Sequence, residues 1–231
     1  MIKNFLSSIV VSLFLILLVI LCSENDKEES RHEPQRRINA MSNLVRFEKV
    51  DNELNILRIG GKSFLPPDVE WPTNPNGEKM VFIFNIPTNF LNSTLQFNYP
   101  KDQVISVFTT YNREDYFLDS IVYNGDIEEL QNIKNGYTKV ILHSVASPRN
   151  DADFLISARE IVIDKEMNEF DDNYGSLFGA NPVFLQEEKL ELASYQFCMQ
   201  IYGGDFPEEF QDIFYLDDAI GYLFLSKEEK A

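Results

Sequence analysis

Residues 59–86, IGGKSFLPPDVEWPTNPNGEKMVFIFNI, limit what this chain can fold into more than any other stretch. Gly60-Gly61 opens it, at a place where the backbone can reach positive φ without a Cβ clash. Pro66, Pro67, Pro72 and Pro75 then hold the chain extended and deny it a helix. Trp71, the single tryptophan, sits among them. Asn76-Gly77 marks a turn, and Met80–Ile86 follows as a nearly continuous apolar run of strand character.

The rest of the chain reads in the same way. Leu44–Val50 and Leu54–Ile59 flank Asp51-Asn52 and predict a hairpin or strand pair feeding the double glycine. Val104–Tyr111, Tyr116–Tyr123, Thr138–Val145, Ser157–Asp164, Tyr195–Tyr202 and Ile220–Leu225 are expected strands, rich in β-branched and aromatic residues. Asp126 and Glu129 have the spacing of a capping box, with Ile127, Leu130 and Ile133 as the apolar face of a short helix. Phe206, Phe210, Ile213 and Phe214 fall at i, i+4, i+7 and i+8 and predict a second helix. The expected class is α+β: mostly antiparallel β-sheet with a few short helices.

Two parts of the chain look alike. FIFNI at Phe82–Ile86 matches FCMQI at Phe197–Ile201, with a carboxamide in the same place. A Gly/Pro-rich stretch precedes each, and ISVF (Ile105–Phe108) and IGYLF (Ile220–Phe224) follow. One reading is an internal duplication about a pseudo-two-fold axis; the other is that any two buried strands resemble each other.

The N-terminus suggests an address. Phe5–Leu21 is apolar apart from three serines, and as a helix it would span about 25 Å, near the thickness of a hydrocarbon core. Cys22 follows directly and resembles the cysteine of a bacterial lipobox, although Leu21 stands where a small residue is usual. A lipoprotein signal, an uncleaved anchor and an ordinary secretory signal all remain open. A lipid-modified Cys22 would anchor the chain stably. Residues 1–22 are thus the signal or anchor, 23–42 a charged tether with almost no apolar content, and 43–231 the folded domain. The first two readings put that domain outside the cytoplasm, on the cell envelope.

The formal net charge is −17, and residues 1–40 carry equal numbers of acids and bases, so the whole excess lies in 41–231. Such a surface repels phosphate backbones and argues against nucleic-acid binding. It suits a basic protein partner steered by the field.

Gly60–Pro66 (GG-x-x-x-LP), Trp71-Pro72, Gly77 and the MVFIFNI strand resemble the opening of the YwqG-like family, a bacterial domain of unknown function. Phe178–Gln186, Met199–Ile201 and the ending Asp217–Phe224 follow the family's order, over roughly residues 45–226. Asn85 departs from the family's usual Gln, and Asp217-Asp218 from a frequent GDAG. The resemblance implies a mixed α+β domain dominated by antiparallel sheet and carries over no catalytic residue. Relatives occur beside secreted-toxin systems, which implies an immunity or binding role.

Little in the sequence suggests a reaction. Zinc requires three or four ligands, and the folded part offers only His143 and Cys198, both inside apolar strand patterns. Asp151 with Asp153, and Asp171, Asp172 and Asn173, do not match a twelve-residue calcium loop. Asp217 and Asp218 are adjacent, so on a strand they would point to opposite faces. No cofactor is expected. Catalysis is not expected either, although an enzyme or small-ligand site between the two halves, and a purely structural envelope lipoprotein, stand as alternatives. The expected contact residues are Trp71, Asp217 and Asp218, with Cys22 for lipid and the membrane reached through the N-terminus.

Overall fold

Strand-forming runs recur along the chain, and they join one sheet. The computed structural model describes residues 12–17, 42–49, 54–123, 127–166, 175–179, 181–184, 195–216 and 218–226. The strands are β1 (Ser12–Leu17), β2 (Asn43–Lys49), β3 (Arg58–Ile59), β4 (Val81–Pro87), β5 (Gln103–Thr109), β6 (Val122–Tyr123), β7 (Thr138–Ser144), β8 (Arg159–Glu166), β9 (Leu177–Phe178), β10 (Tyr195–Tyr202) and β11 (Ile220–Ser226). Short helices α1 (Thr88–Leu95), α2 (Leu118–Ile121) and α3 (Ile127–Asn132) lie between them. The sheet order is β6-β1-β11-β10-β9-β2-β8-β3-β4-β5-β7, and the sheet curls into a half-barrel.

The α+β expectation is corrected. With 40% strand against 16% helix, the helices are too few and too short to form a layer of their own. The helix expected over Phe206–Phe214 becomes tight 3-10 turns at Gly203–Asp205 and Glu208–Phe210. Its four apolar residues are nevertheless buried in the main core, because successive tight turns point them the same way. Tyr116–Tyr123, expected as a strand, splits into α2 and the two-residue β6. The expected hairpin does not form: β8, about a hundred residues later, pairs with both β2 and β3 and lies between them. α3 stands where a short helix was expected; Asp126 lies outside the described residues.

The two arms on either side of the β2–β8 pair share one register. Ile59, Phe84 and Val107 line up across β3, β4 and β5, as Phe178, Met199 and Leu223 do across β9, β10 and β11. Each middle strand carries a bulge at the same point, between Phe82 and Phe84 and between Phe197 and Met199. The glycine after each short strand donates its N–H to the middle strand: Gly60 to Ile83 O at 2.7 Å and Gly179 to Cys198 O at 3.1 Å.

The inner face holds the main core, including Phe84, Ile86, Ile105, Val107 and Leu142 from arm one. On the outer face of that arm, Phe82 and Phe108 pack with Leu65, Trp71 and Met80 from the proline-rich segment. Among the described residues, no helix is long and apolar enough to cross a membrane. Cys22 and the tether 23–41 lie outside the described residues.

Candidate functional site

The proline-rich segment leaves β3 through Gly60 and Gly61, at φ 59° and 70°. A Cβ on Gly60 would lie 2.8 Å from the carbonyl oxygens of Ile156 and Ser157, so both the conformation and the space require glycine there. Residues 62–80 then cross the outer face of β4, β5 and β7 as a strap. Prolines cannot donate to a ladder, so the carbonyls of an extended proline-rich strap need donors from elsewhere. Arg149 supplies them. Its Nε donates to Leu65 O at 3.0 Å, and its Nη2 to Pro66 O at 3.1 Å and Val69 O at 2.6 Å. Nη1 pairs with Asp151. The same guanidinium lies 5.4 Å from the centre of the Trp71 ring.

Trp71 is 4% exposed; its Nε1 donates to Met80 O at 2.9 Å and its ring meets Phe108 edge-on at 5.2 Å. This expected contact residue therefore organises the strap from inside. Asp218 is exposed on the other arm and accepts from Tyr202 OH at 3.0 Å. Asp217 and Cys22 lie outside the described residues, as do Asp171, Asp172 and Asn173. Asp151 is held by Arg149 while Asp153 is exposed. Among the described residues, no group of three or more His, Cys, Asp or Glu is placed to hold a metal ion. Cys198 is fully buried, and burial pushes its thiol pKa well up, away from the reactive thiolate.

Under the strap lies a buried polar network that the sequence did not disclose. Asn85 on β4 stands opposite Ser106 on β5, and His143 extends it on β7. Ser106 Oγ is 2.5 Å from Asn85 Oδ1, 2.7 Å from His143 Nε2 and 3.4 Å from Ser63 Oγ on the strap. Proton placement follows from one contact. His143 Nδ1 lies 2.8 Å from the Ser144 carbonyl, which can only accept, so Nδ1 carries the proton. Burial lowers the imidazole pKa, the Ser144 contact opposes this and Arg149 adds to it. The ring is therefore neutral and Nε2 bare, so the Ser106 hydroxyl donates to Nε2. That uses its one proton, and the Asn85 carboxamide is therefore turned with its NH2 toward Ser106 and its oxygen away. This orientation gives Nδ2 a partner that it otherwise lacks. Ser106 and His143 have the separation of a nucleophile and its base. Ser106, Asn85 and Ser63 are fully buried, however, and the network's evident work is to seat the strap.

A second cluster joins the arms and reaches solvent. Tyr111, just past β5, donates its hydroxyl to Asp212 Oδ1 at 2.8 Å. Its ring packs against Phe154, Phe210 and Tyr215 at 5.2, 5.9 and 5.7 Å. Arg113 lies over Phe154 and Phe210, and its Nη2 donates to Glu209 O at 3.0 Å. Burial pushes the Tyr111 hydroxyl pKa up, with the Asp212 carboxylate adding to it and Arg113 opposing. Tyr215 holds φ 63°, a left-handed backbone rare for a bulky residue. Its hydroxyl accepts the N–H of Asn112 at 2.9 Å.

On this base stands Tyr116, which meets Tyr215 edge to face at 5.0 Å and is itself 67% exposed. Leu155, beside Phe154, is 48% exposed. Exposed Glu114, Asp115, Asp153, Glu208, Glu209 and Asp212 belong to the same three loops. The cluster offers an aromatic face among carboxylates, a surface suited to cationic side chains. The run YNREDYF at Tyr111–Phe117 was its sequence signal: three aromatics among charges, directly after a strand.

The family model described as a domain of unknown function (DUF1963) matches residues 58–230, from the start of β3 to beyond β11. No curated protein is matched by the chain.

Proposed function

We propose a binding role from one premise: the chain belongs to the DUF1963 family, a domain of unknown function. The YwqG-like motifs are the finer form of that membership. The protein is a membrane-tethered, extracytoplasmic module that captures a basic protein partner and carries out no reaction on it, in the manner of an immunity protein. One observation carries this reading: Tyr116 stands two-thirds exposed on Tyr215, on the loop that also carries exposed Glu114 and Asp115. Arg113 is held against Phe154, Phe210 and the Glu209 carbonyl, and its single charge is outnumbered by the exposed carboxylates of the three loops. The −17 charge of the chain favours approach of such a partner over distances of about a Debye length. The tether is either Phe5–Leu21 as an uncleaved anchor or an acylated Cys22 left as the N-terminus after cleavage.

Titration calorimetry with a lysine- and arginine-rich peptide tests the surface. Tyr116→Ser with Glu114→Gln and Asp115→Asn is expected to weaken binding at least tenfold, about 1.4 kcal/mol. Equal affinity of wild type and variant, or equal affinity for an acidic peptide, would reject the assignment. Fatty-acid labelling that Cys22→Ser abolishes supports the lipid anchor; an unlabelled wild type removes it.

A further inference from the structure

The outer edges of the two arms are covered in the same way. On arm one β7 runs antiparallel to β5, with Thr138 opposite Thr109 and His143 opposite Val104. On arm two β1 runs antiparallel to β11, with Ser12 opposite Leu225 and Leu17 opposite Ile220. Val104 and Ile220 hold equivalent places, opposite Pro87 on β4 and opposite Tyr202 on β10. Ser12–Leu17 therefore occupies the place of Thr138–His143 position by position. On its other edge Ile16 and Leu17 pair in parallel with Val122 and Tyr123 of β6, so the C-terminal end of the segment is paired on both sides and fills a slot in the sheet.

The occupant of that slot is the middle of Phe5–Leu21. As a strand, six residues span about 20 Å and take their hydrogen bonds from neighbours. A helix across lipid needs about 20 residues with every amide bonded within the segment. The backbone of Ser12–Leu17 cannot satisfy both demands at once. β1 also lies outside the residues matched by the family.

We propose that the gap between β11 and β6 is a strand-acceptor site, that its occupant is this chain's own Ser12–Leu17, and that a lipid bilayer competes for the segment. The proposal rests on the uncleaved-anchor form of the tether, since cleavage before Cys22 would remove Ser12–Leu17, and it is independent of the basic partner. When the bilayer takes the segment, β11 is left with an unpaired outer row of N–H and C=O groups.

Hydrogen exchange of the full-length chain, read by mass spectrometry over residues 220–226, tests this. In buffer the β11 amides should exchange slowly. Phe14→Pro, which breaks the β1 ladder, should speed the outward-pointing half of them about 100-fold while β4 stays protected. Vesicles of phosphatidylglycerol and phosphatidylethanolamine should have the same effect on the wild type, which needs no variant to fold. β11 protection unchanged in Phe14→Pro would overturn the strand assignment. Unchanged protection in chains that float with the vesicles would overturn the competition. Chains that do not float at all would refute the tether and the competition together, and flotation reads that separately from exchange.

Discussion

The guanidinium of Arg149 covers the face of Trp71 at 5.4 Å while holding the carbonyls of Leu65, Pro66 and Val69. One side chain from the loop after β7 thereby fixes a strap that has no ladder of its own. Lysine could keep the charge but not the fork of donors. Arg149→Lys is expected to destabilise the protein by about 2 kcal/mol, read from urea denaturation. The strap should also be cut sooner by protease.

Beneath the strap, acid should loosen what Arg149 holds. Burial keeps the folded-state pKa of His143 below its unfolded value of about 6.5. As the pH falls, the unfolded chain therefore takes up this proton first. The stability that His143 contributes is complete above about pH 6.5 and is lost as the pH falls through that value toward the lower folded one. Denaturation midpoints at pH 7.5 and pH 5 should differ in the wild type, and His143→Gln should remove the part of the difference due to this residue.

Ser106→Ala takes the donor from His143 Nε2 and the partner from the Asn85 amide. A loss of about 1–3 kcal/mol is expected from buried polar groups left unpaired, again by denaturation. If peptide binding at the Tyr116 surface is unchanged in this variant, the network serves the strap alone.

Much of the sheet could be read from the sequence. Tyr195–Tyr202 is a strand over its expected length, and β4, β5, β7 and β11 fall within a residue or two of their apolar runs. These runs carry their own signal because alternate side chains must face a core. Pairing is non-local and left no such mark. Nothing near Asp51-Asn52 reveals that β8 will insert between β2 and β3. The helical spacing of Phe206 to Phe214 was genuine, but burial of one face is also met by consecutive tight turns. The site was less legible. Trp71 stands out as the single tryptophan, whereas nothing in the sequence sets Arg149 apart from the other nineteen basic residues; only the strap's carbonyls do. Tyr116 matters through its contact with Tyr215, 99 positions away in the numbering, and no spacing rule joins them.

Two glycines separate conformational need from spatial need. Gly77 has φ 85° and open space where a Cβ would go, whereas Gly60 has φ 59° and backbone oxygens 2.8 Å from that point. Gly77→Ala should therefore cost only about 1 kcal/mol for its left-handed backbone, and Gly60→Ala several times as much. Thermal unfolding of the two variants side by side checks the ranking.

The central claim is that this protein acts by contact through the acidic aromatic surface around Tyr116. A photo-crosslinking amino acid placed at position 116 in living cells tests it most directly, with the same probe at Val145, exposed on arm one, as control. The account predicts a discrete adduct at 116 with a basic protein, weakened by high salt before irradiation and absent at 145. The same adducts at both positions, or none at 116, would contradict it.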